Sequence, residues 1–172
     1  MKGKAKHIAR LKKLSGPEIA KVANAVVYAG ADTIRAHAHH LISRGSVSGK
    51  NHVPSAPGEP PNRDTGNLQA HLEATNPKPL IGQVSSNAKY AAALEFGANI
   101  KHPGGTPYFM RDGKPVFVSK SGHGAFHTLP VTKPHTIEIK SRPYMRPARD
   151  AKVKEIRKDF ADAIDKLVKR SG

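Results

Sequence analysis

Histidine is the residue type that first invites a chemical reading, with ten among 172 residues. His37, His39 and His40 crowd one stretch, but no two stand four apart, the spacing that sets two metal ligands on one face of a helix. His37 and His40, three apart, could just share a face, yet no carboxylate follows at a matching step. His123 and His127 are four apart within a glycine-rich stretch, Ser121-Gly122-His123-Gly124, where that spacing fixes no geometry. These histidines read as solvent-facing or interface residues, and no metal site is expected. Serine–histidine–acid chemistry has its residue types but no strand–Gly-x-Ser-x-Gly–helix element to present a nucleophile. Five of the thirteen carboxylates (Asp150, Glu155, Asp159, Asp162, Asp165) sit among lysines and arginines near the end of the chain. They read as solvated helical ion-pair partners rather than a general acid and base. Pro103-Gly104-Gly105 is turn chemistry, not a phosphate cradle. The absence of cysteine excludes a disulfide framework, a cysteine zinc cage and thiol catalysis together. No catalytic residue, cofactor or enzymatic activity is expected. The rival reading in this direction is a small hydrolase built around His102, His123, His127 and His135.

Charge carries more. The 29 Lys and Arg outnumber 13 Asp and Glu, for a net charge of +16 and a pI near 10.3. A surface this basic favours an acidic partner: nucleic acid, an anionic lipid face or an acidic protein. Residues 1–15 hold Lys2, Lys4, Lys6, Arg10, Lys12 and Lys13 and no acid. Residues 96–149 hold Lys101, Arg111, Lys114, Lys120, Lys133, Lys140, Arg142, Arg146 and Arg149 against Asp112 and Glu138. Lys114, Lys120 and the N-terminal cluster are the candidates for facing DNA or an acidic protein. Aromatic residues make up 5% of the chain, too few to suggest a platform for stacking bases. Contact with DNA would therefore be electrostatic and blind to sequence. No stretch approaches the roughly 18 apolar residues of a membrane helix, and no membrane partner is expected. The basic N-terminus lacks an apolar signal-peptide core, so the chain is expected to stay in the cytoplasm where it is made.

These residues need elements to position them. One domain is expected over residues 1–172, with a basic N-terminal segment at 1–15. Over residues 17–44, Ile19, Val22, Val26, Ala29, Thr33 and Leu41 recur at mostly helical steps, with Ser15 as a cap, Pro17 at the first turn and Gly45 as the stop. Gly30 reads as the weak point of that helix. Residues 45–64 carry no period, and Pro54, Pro57, Pro60 and Pro61 favour an extended arm. Asp64 or Thr65 would cap a short turn running through Leu68 and Leu72. Extended segments at 70–76 and 80–86 follow, joined by Asn76-Pro77-Lys78-Pro79. Asn87 would cap a helix over 88–96, closed by Gly97.

Residues 98–135 read as a loop and hairpin insertion, with short strands at 107–111 and 114–120 joined by Asp112-Gly113. Residues 136–140 alternate and predict a half-buried strand. The last helix is expected over 147–169, with Val153, Ile156, Phe160, Ile164, Leu167 and Val168 on one face. The fold class is α+β: a long N-terminal helix, a small antiparallel sheet, a C-terminal amphipathic helix packed on the sheet, and two long loop excursions.

Four pieces, read in order, add a resemblance. They are Ser46-Val47-Ser48-Gly49 continuing through Val53 and Pro54-Ser55-Ala56-Pro57-Gly58-Glu59-Pro60-Pro61; Asp64-Thr65-Gly66-Asn67-Leu68; Tyr90-Ala91 with Leu94-Glu95-Phe96-Gly97; and Arg142-Pro143-Tyr144-Met145-Arg146-Pro147-Ala148. In this order, with a helix at each end, the chain resembles the tail-completion or head–tail joining proteins of long-tailed, lambda-like phages. The insertion at 98–135 departs from smaller members. The resemblance implies a structural virion protein of the neck or tail, assembled in the host cytoplasm. It would be one subunit of a ring, six-fold in expectation, between the connector and the tail tube. Partners would be copies of itself, the connector or head-completion protein, and the tail-tube or terminator protein, with non-specific contact to packaged DNA.

Ring closure needs heterologous interfaces, in which one patch meets a different patch on the neighbour. The arm, with Val47, Val53, Pro54, Pro57, Glu59 and Pro60, and the insertion are the expected assembling segments. Thr65-Gly66 would bend the chain out of the arm. Tyr90, Leu94 and Phe96 would bury an apolar face, and Pro143 and Pro147 would stiffen the entry to the last helix. The rival from charge alone is a non-sequence-specific nucleic-acid-binding protein of the cytoplasm.

Overall fold

The structure is a computed structural model that describes residues 16–45, 48–118 and 128–170, together with Lys4, Ala5, Ile8 and Lys12. Its architecture is α+β: two long helices pack against one another, and short antiparallel ribbons lie beside them.

Helix α1 spans Pro17–Ser43. Pro17 pre-sets the first turn and Glu18 faces the positive end of the helix dipole, so the helix starts without a side-chain cap on Gly16. The cap expected from Ser15 lies outside the described residues. Gly45, at φ +60, turns the chain away. The buried positions are Ala23, Gly30, Ala31, Ala38, Leu41 and Ile42, while Ala29 of the expected stripe is exposed. The reason is that α1 is packed on two sides, and its contacts use small residues rather than one branched stripe. A Cβ at Gly30 would stand 2.7 Å from Ile156 Cγ2, and one at Gly82 would stand 2.7 Å from the Val27 carbonyl. Gly30, read as a weak point, is where the last helix crosses.

The 48–64 segment follows, with a short 3-10 turn at Gly49–Asn51. Helix α2 is a single turn, Asn67–Ala70, led in by Gly66 at φ 82 and ψ 0. Only glycine takes that left-handed backbone at little cost, so Gly66 holds the cap position, and of the expected caps Thr65 reaches the first helical N–H from one residue further back. The turn also ends before Leu72, which opens strand β1.

Strands β1 (Leu72–Lys78) and β2 (Ile81–Ser86) pair antiparallel, with an irregularity between Thr75 and Lys78 that accommodates Pro77. The turn expected over 76–79 moves to Pro79-Leu80, with Leu80 at φ 63. Asn24 on α1 holds it there: its Oδ1 accepts the Leu80 N–H at 2.9 Å, and its carbonyl accepts from Asn76 Nδ2 at 3.3 Å. Helix α3 is Ala91–Phe96, shorter than the expected 88–96: the chain first makes a turn closed by the Ala91 N–H on the Ala88 carbonyl, and Tyr90 rather than Asn87 takes the cap position.

The stretch read as loop carries strand β3, Ala98–His102, which pairs with β6, His135–Ile139. Of β6 only Ile139 is half-buried, so the expected half-buried strand is corrected. Nothing among the described residues covers the faces of this ribbon closely enough to bury them. Strands β4 (Tyr108–Arg111) and β5 (Lys114–Phe117) form the expected hairpin, with Asp112 at φ 50 and Gly113 at φ 75 at its turn.

Helix α4 spans Met145–Arg170 and starts two residues before Pro147. Pro147 is its third residue, where the missing N–H still belongs to the group without an intrahelical partner. Helix α4 packs against α1 and the sheet, and the larger share of its packing is with α1. Its start meets the end of α1, and Ile156 meets Gly30, so the two run antiparallel. The core sits at one end of this pair, where Ala38, Leu41, Ile42, Leu68, Leu72, Ala88, Ala91, Tyr144 and Ala148 pack together. Tyr144 is 1% exposed there, and burying a side chain of that size contributes roughly 1.5–3 kcal/mol.

Candidate functional site

The four sequence pieces that carry the resemblance meet at this core end. Glu95, on the last turn of α3, is the pivot. Its Oε2 accepts the N–H groups of Tyr144 at 2.8 Å and Met145 at 3.0 Å, and its Oε1 accepts that of Arg146 at 3.0 Å. A carboxylate some fifty residues away in sequence therefore caps α4, meeting both its unpartnered donors and its positive dipole end. The Arg142 N–H donates to the Leu94 carbonyl, which locks the approach to α4 onto α3. The Arg142 side chain reaches back to the arm, with Nε donating to the Ser55 carbonyl at 3.0 Å. Gly58 N–H donates to the Ser141 carbonyl at 2.8 Å. Asn67 Nδ2 donates to the Tyr90 hydroxyl at 3.2 Å, tying the second piece to the third.

The arm is closed on itself. Ser48 Oγ donates to the Asp64 carbonyl at 2.6 Å, Gly49 N–H to Asp64 Oδ1 at 3.0 Å, and Asn62 Nδ2 to the Val53 carbonyl at 2.9 Å. With its ends together and Arg142 holding its middle, it is a compact loop rather than a limb reaching outward. Pro61 is buried and Pro60 half-buried, whereas Val53, Pro54, Pro57 and Glu59 face solvent. Val47 lies outside the described residues.

A groove of about 820 Å³ opens beside this corner. Val26, Val27 and Ile34 of α1 form its floor, Val84 of β2 and Phe96 of α3 one wall, and Ile156 and Phe160 of α4 the other. Phe96 is 70% exposed, which corrects the expectation that it is buried with Tyr90 and Leu94. Leu94 packs on the core, but Tyr90 is also exposed and Phe96 turns to the groove. Arg146, Arg149 and Arg157 line the α4 side. Arg149 pairs with Asp150, and Arg146 and Arg157 have no ion pair among the described residues.

No family model matches the chain, nor does any curated protein or solved structure. What the site offers must therefore be read from its own geometry.

Of the remaining motif residues, Thr65 Oγ1 accepts the Asn67 N–H at 3.4 Å. Gly97 sits at φ 77, where a Cβ would stand 3.0 Å from the Ile139 carbonyl. Pro143 and Met145 are half-buried beside Tyr144. Among the basic candidates, Lys4, Lys12 and Lys114 are exposed. Lys2, Lys6, Arg10, Lys13 and Lys120 lie outside the described residues.

The histidines form pairs, not triads. His37 and His40 stack at 6.2 Å, and burial, then the charge of Lys152, then those of His40 and Arg44 hold the His37 imidazole below its ordinary range, against Glu155. His102 and His135 stack at 5.0 Å across β3–β6. His102 Nδ1 accepts the Gly104 N–H at 3.0 Å, and His135 Nδ1 faces the Lys133 carbonyl at 2.8 Å, so both are tied into their own turns. His123 and His127 lie outside the described residues. Among the described residues no three His, Asp or Glu are grouped to hold a metal ion, and no helix is long and apolar enough to cross a membrane. Sequence reasoning did not find the roles of Glu95 or Arg142, or the groove. A carboxylate followed at long range by Arg-Pro before a helix was the available signal.

Proposed function

We propose that this chain is a structural subunit of a phage neck or tail, acting by assembly rather than catalysis. One copy would occupy each position of a ring, six-fold under the resemblance, between the connector and the tail tube. The observation that carries this reading is the convergence of the four motif pieces on the Glu95–Arg142 corner. Residues 55, 67, 95 and 142 are far apart in sequence yet tie the arm, α2, α3 and α4 into one unit. A motif with that role marks a particular body plan, and the resemblance links this plan to virion joining proteins.

Exposed apolar side chains on the ribbons support the same reading. Ile100, Met110, Phe117 and Ile137 are all exposed among the described residues, as suits surfaces that meet neighbours on assembly. The test is electron microscopy of the purified protein alone and with tail tubes. Closed rings, or caps on tube ends, are expected; monomers beside bare tubes would overturn the proposal. The +16 charge favours a second reading, binding of nucleic acid without sequence preference. Under that reading, a monomer binds free duplex with an affinity that falls steeply as salt rises.

A further inference from the structure

We propose that the groove between α1, β2, α3 and α4 is a docking site for an acidic, apolar segment of another protein. This rests on the assembly reading only in expecting a protein partner. The floor and walls are aliphatic and aromatic, and the cations that border them stand along one helix at positions 146, 149 and 157. Steps of three and eight residues keep these arginines on one face of α4, over about 16 Å at ~1.5 Å per residue. Glu95 is the acid lining the groove, and its carboxylate already accepts three backbone N–H groups. The groove therefore presents apolar surface beside Arg146 and Arg157, which have no ion pair among the described residues, while Arg149 is paired with Asp150.

The other occupants fit less well. A second copy would bring its own apolar surface, the β4–β5 hairpin, where Arg111 and Lys114 flank Asp112 at the turn and leave one net positive charge, with a net charge of +16 behind it. Both carry the same sign as the groove arginines. Nucleic acid would lay hydrated phosphates on the arginines and leave the valine and isoleucine floor uncovered. A bilayer is flat and meets protruding apolar groups, whereas Val26, Ile34 and Ile156 lie within a concavity. An amphipathic segment with carboxylates along one edge satisfies both parts of the site, in the manner of helix-in-groove recognition.

The test uses fluorescently labelled synthetic peptides of about 15 residues, long enough to span the arginine row as a helix. One places leucine at helical stripe spacing with glutamate elsewhere. A second replaces glutamate with lysine, and a third replaces leucine with serine. Anisotropy at physiological salt should show the Leu/Glu peptide binding at least about tenfold more tightly than either other. Arg146→Glu with Arg157→Glu should remove at least about tenfold of that affinity. Lys101→Glu with Lys114→Glu, an equal change in net charge, should leave it within about twofold. Should the glutamate variant lose its helical circular dichroism, Arg146→Gln with Arg157→Gln takes its place. Equal binding of the Glu/Ser peptide, equal losses in both double variants, or no binding by any peptide would overturn the proposal. So would light scattering that showed the groove variants dissociating a self-assembled oligomer. Ring formation is read separately by microscopy, so rings without peptide binding sink the groove and leave the assembly reading standing.

Discussion

Replacing Glu95 with alanine removes the carboxylate shared by the N–H groups of Tyr144, Met145 and Arg146. A hydrogen bond to a charged group contributes about 1.5–3 kcal/mol when lost singly, but three bonds to one carboxylate are not additive. Loss of a helix cap costs roughly 0.5–2 kcal/mol, and a partly buried charge at a helix terminus contributes up to about 2 kcal/mol. Together these place Glu95→Ala near 3 kcal/mol of destabilisation. Glu95→Gln keeps one acceptor oxygen but loses the charge and turns an amide NH₂ toward a donor, which places it near 1.5–2 kcal/mol. In a domain of this size each kcal/mol moves the thermal midpoint by roughly 2–4 °C. Glu95→Ala should therefore lower it by about 6–12 °C, and Glu95→Gln by about half as much.

Urea unfolding gives the free energies, and amide hydrogen exchange gives the location. The amides of residues 144–146 should exchange faster in Glu95→Ala, with smaller changes at the far end of α4. A loss below about 0.5 kcal/mol, the size of an ordinary surface substitution, with unchanged exchange at those amides, would refute the capping role.

Gly30→Ala gains up to about 1 kcal/mol of helix propensity but forces its methyl against Ile156, where overpacking costs roughly 1–3 kcal/mol. Urea unfolding should show net destabilisation in the native background and net stabilisation in an Ile156→Ala background. Arg142→Ala should leave the helical circular dichroism unchanged while limited proteolysis begins to cut within 52–62, because the tie to Ser55 is gone. His37 is held below its ordinary value of 6.5 mainly by burial. The unfolded chain therefore takes up a proton near that pH while the folded chain resists it, so the stability from this group is present above 6.5 and lost as pH falls. His37→Asn should narrow the difference between urea midpoints measured near pH 8 and near pH 5.

The elements set by local rules were legible in the sequence. Pro17 and Gly45 bracket α1, Asp112-Gly113 makes its hairpin, and the closing helix is written in its apolar spacing. What the sequence hid depends on tertiary partners. The β1–β2 turn lies two residues later than its prolines suggest because Asn24, on a different element, holds Leu80. Strand β3 alternates over only Ala98-Asn99-Ile100-Lys101, a short signal embedded in turn residues, and its partner β6 lies more than thirty residues on, so local spacing alone did not announce the pairing. Phe96 reads as core in an apolar run, yet the short α3 has only one buried residue, Ala91, and leaves Phe96 on a groove wall. Of the site, the motif positions were visible, but Glu95 as a cap for a helix fifty residues on was not. Nothing local distinguishes a capping carboxylate from a solvated one.

The chemistry of the corner also bears on where recognition lies. The bonds of Glu95 go to backbone N–H groups, and those of Arg142 to backbone carbonyls, all within the same chain. Groups saturated in this way have little left to offer a partner. Under the assembly reading, the motif keeps the body in shape, and discrimination between neighbours must come from surfaces whose groups are unsatisfied. These are the groove with Arg146 and Arg157, the apolar hairpin side chains Met110 and Phe117, and the exposed crest of the arm at Val53 and Pro57. Substitution at the corner should therefore cost stability first and binding only in proportion, whereas substitution along the groove should change partner affinity at nearly constant stability. Measured on the same variants, the two quantities separate a residue that shapes the body from one that touches the neighbour.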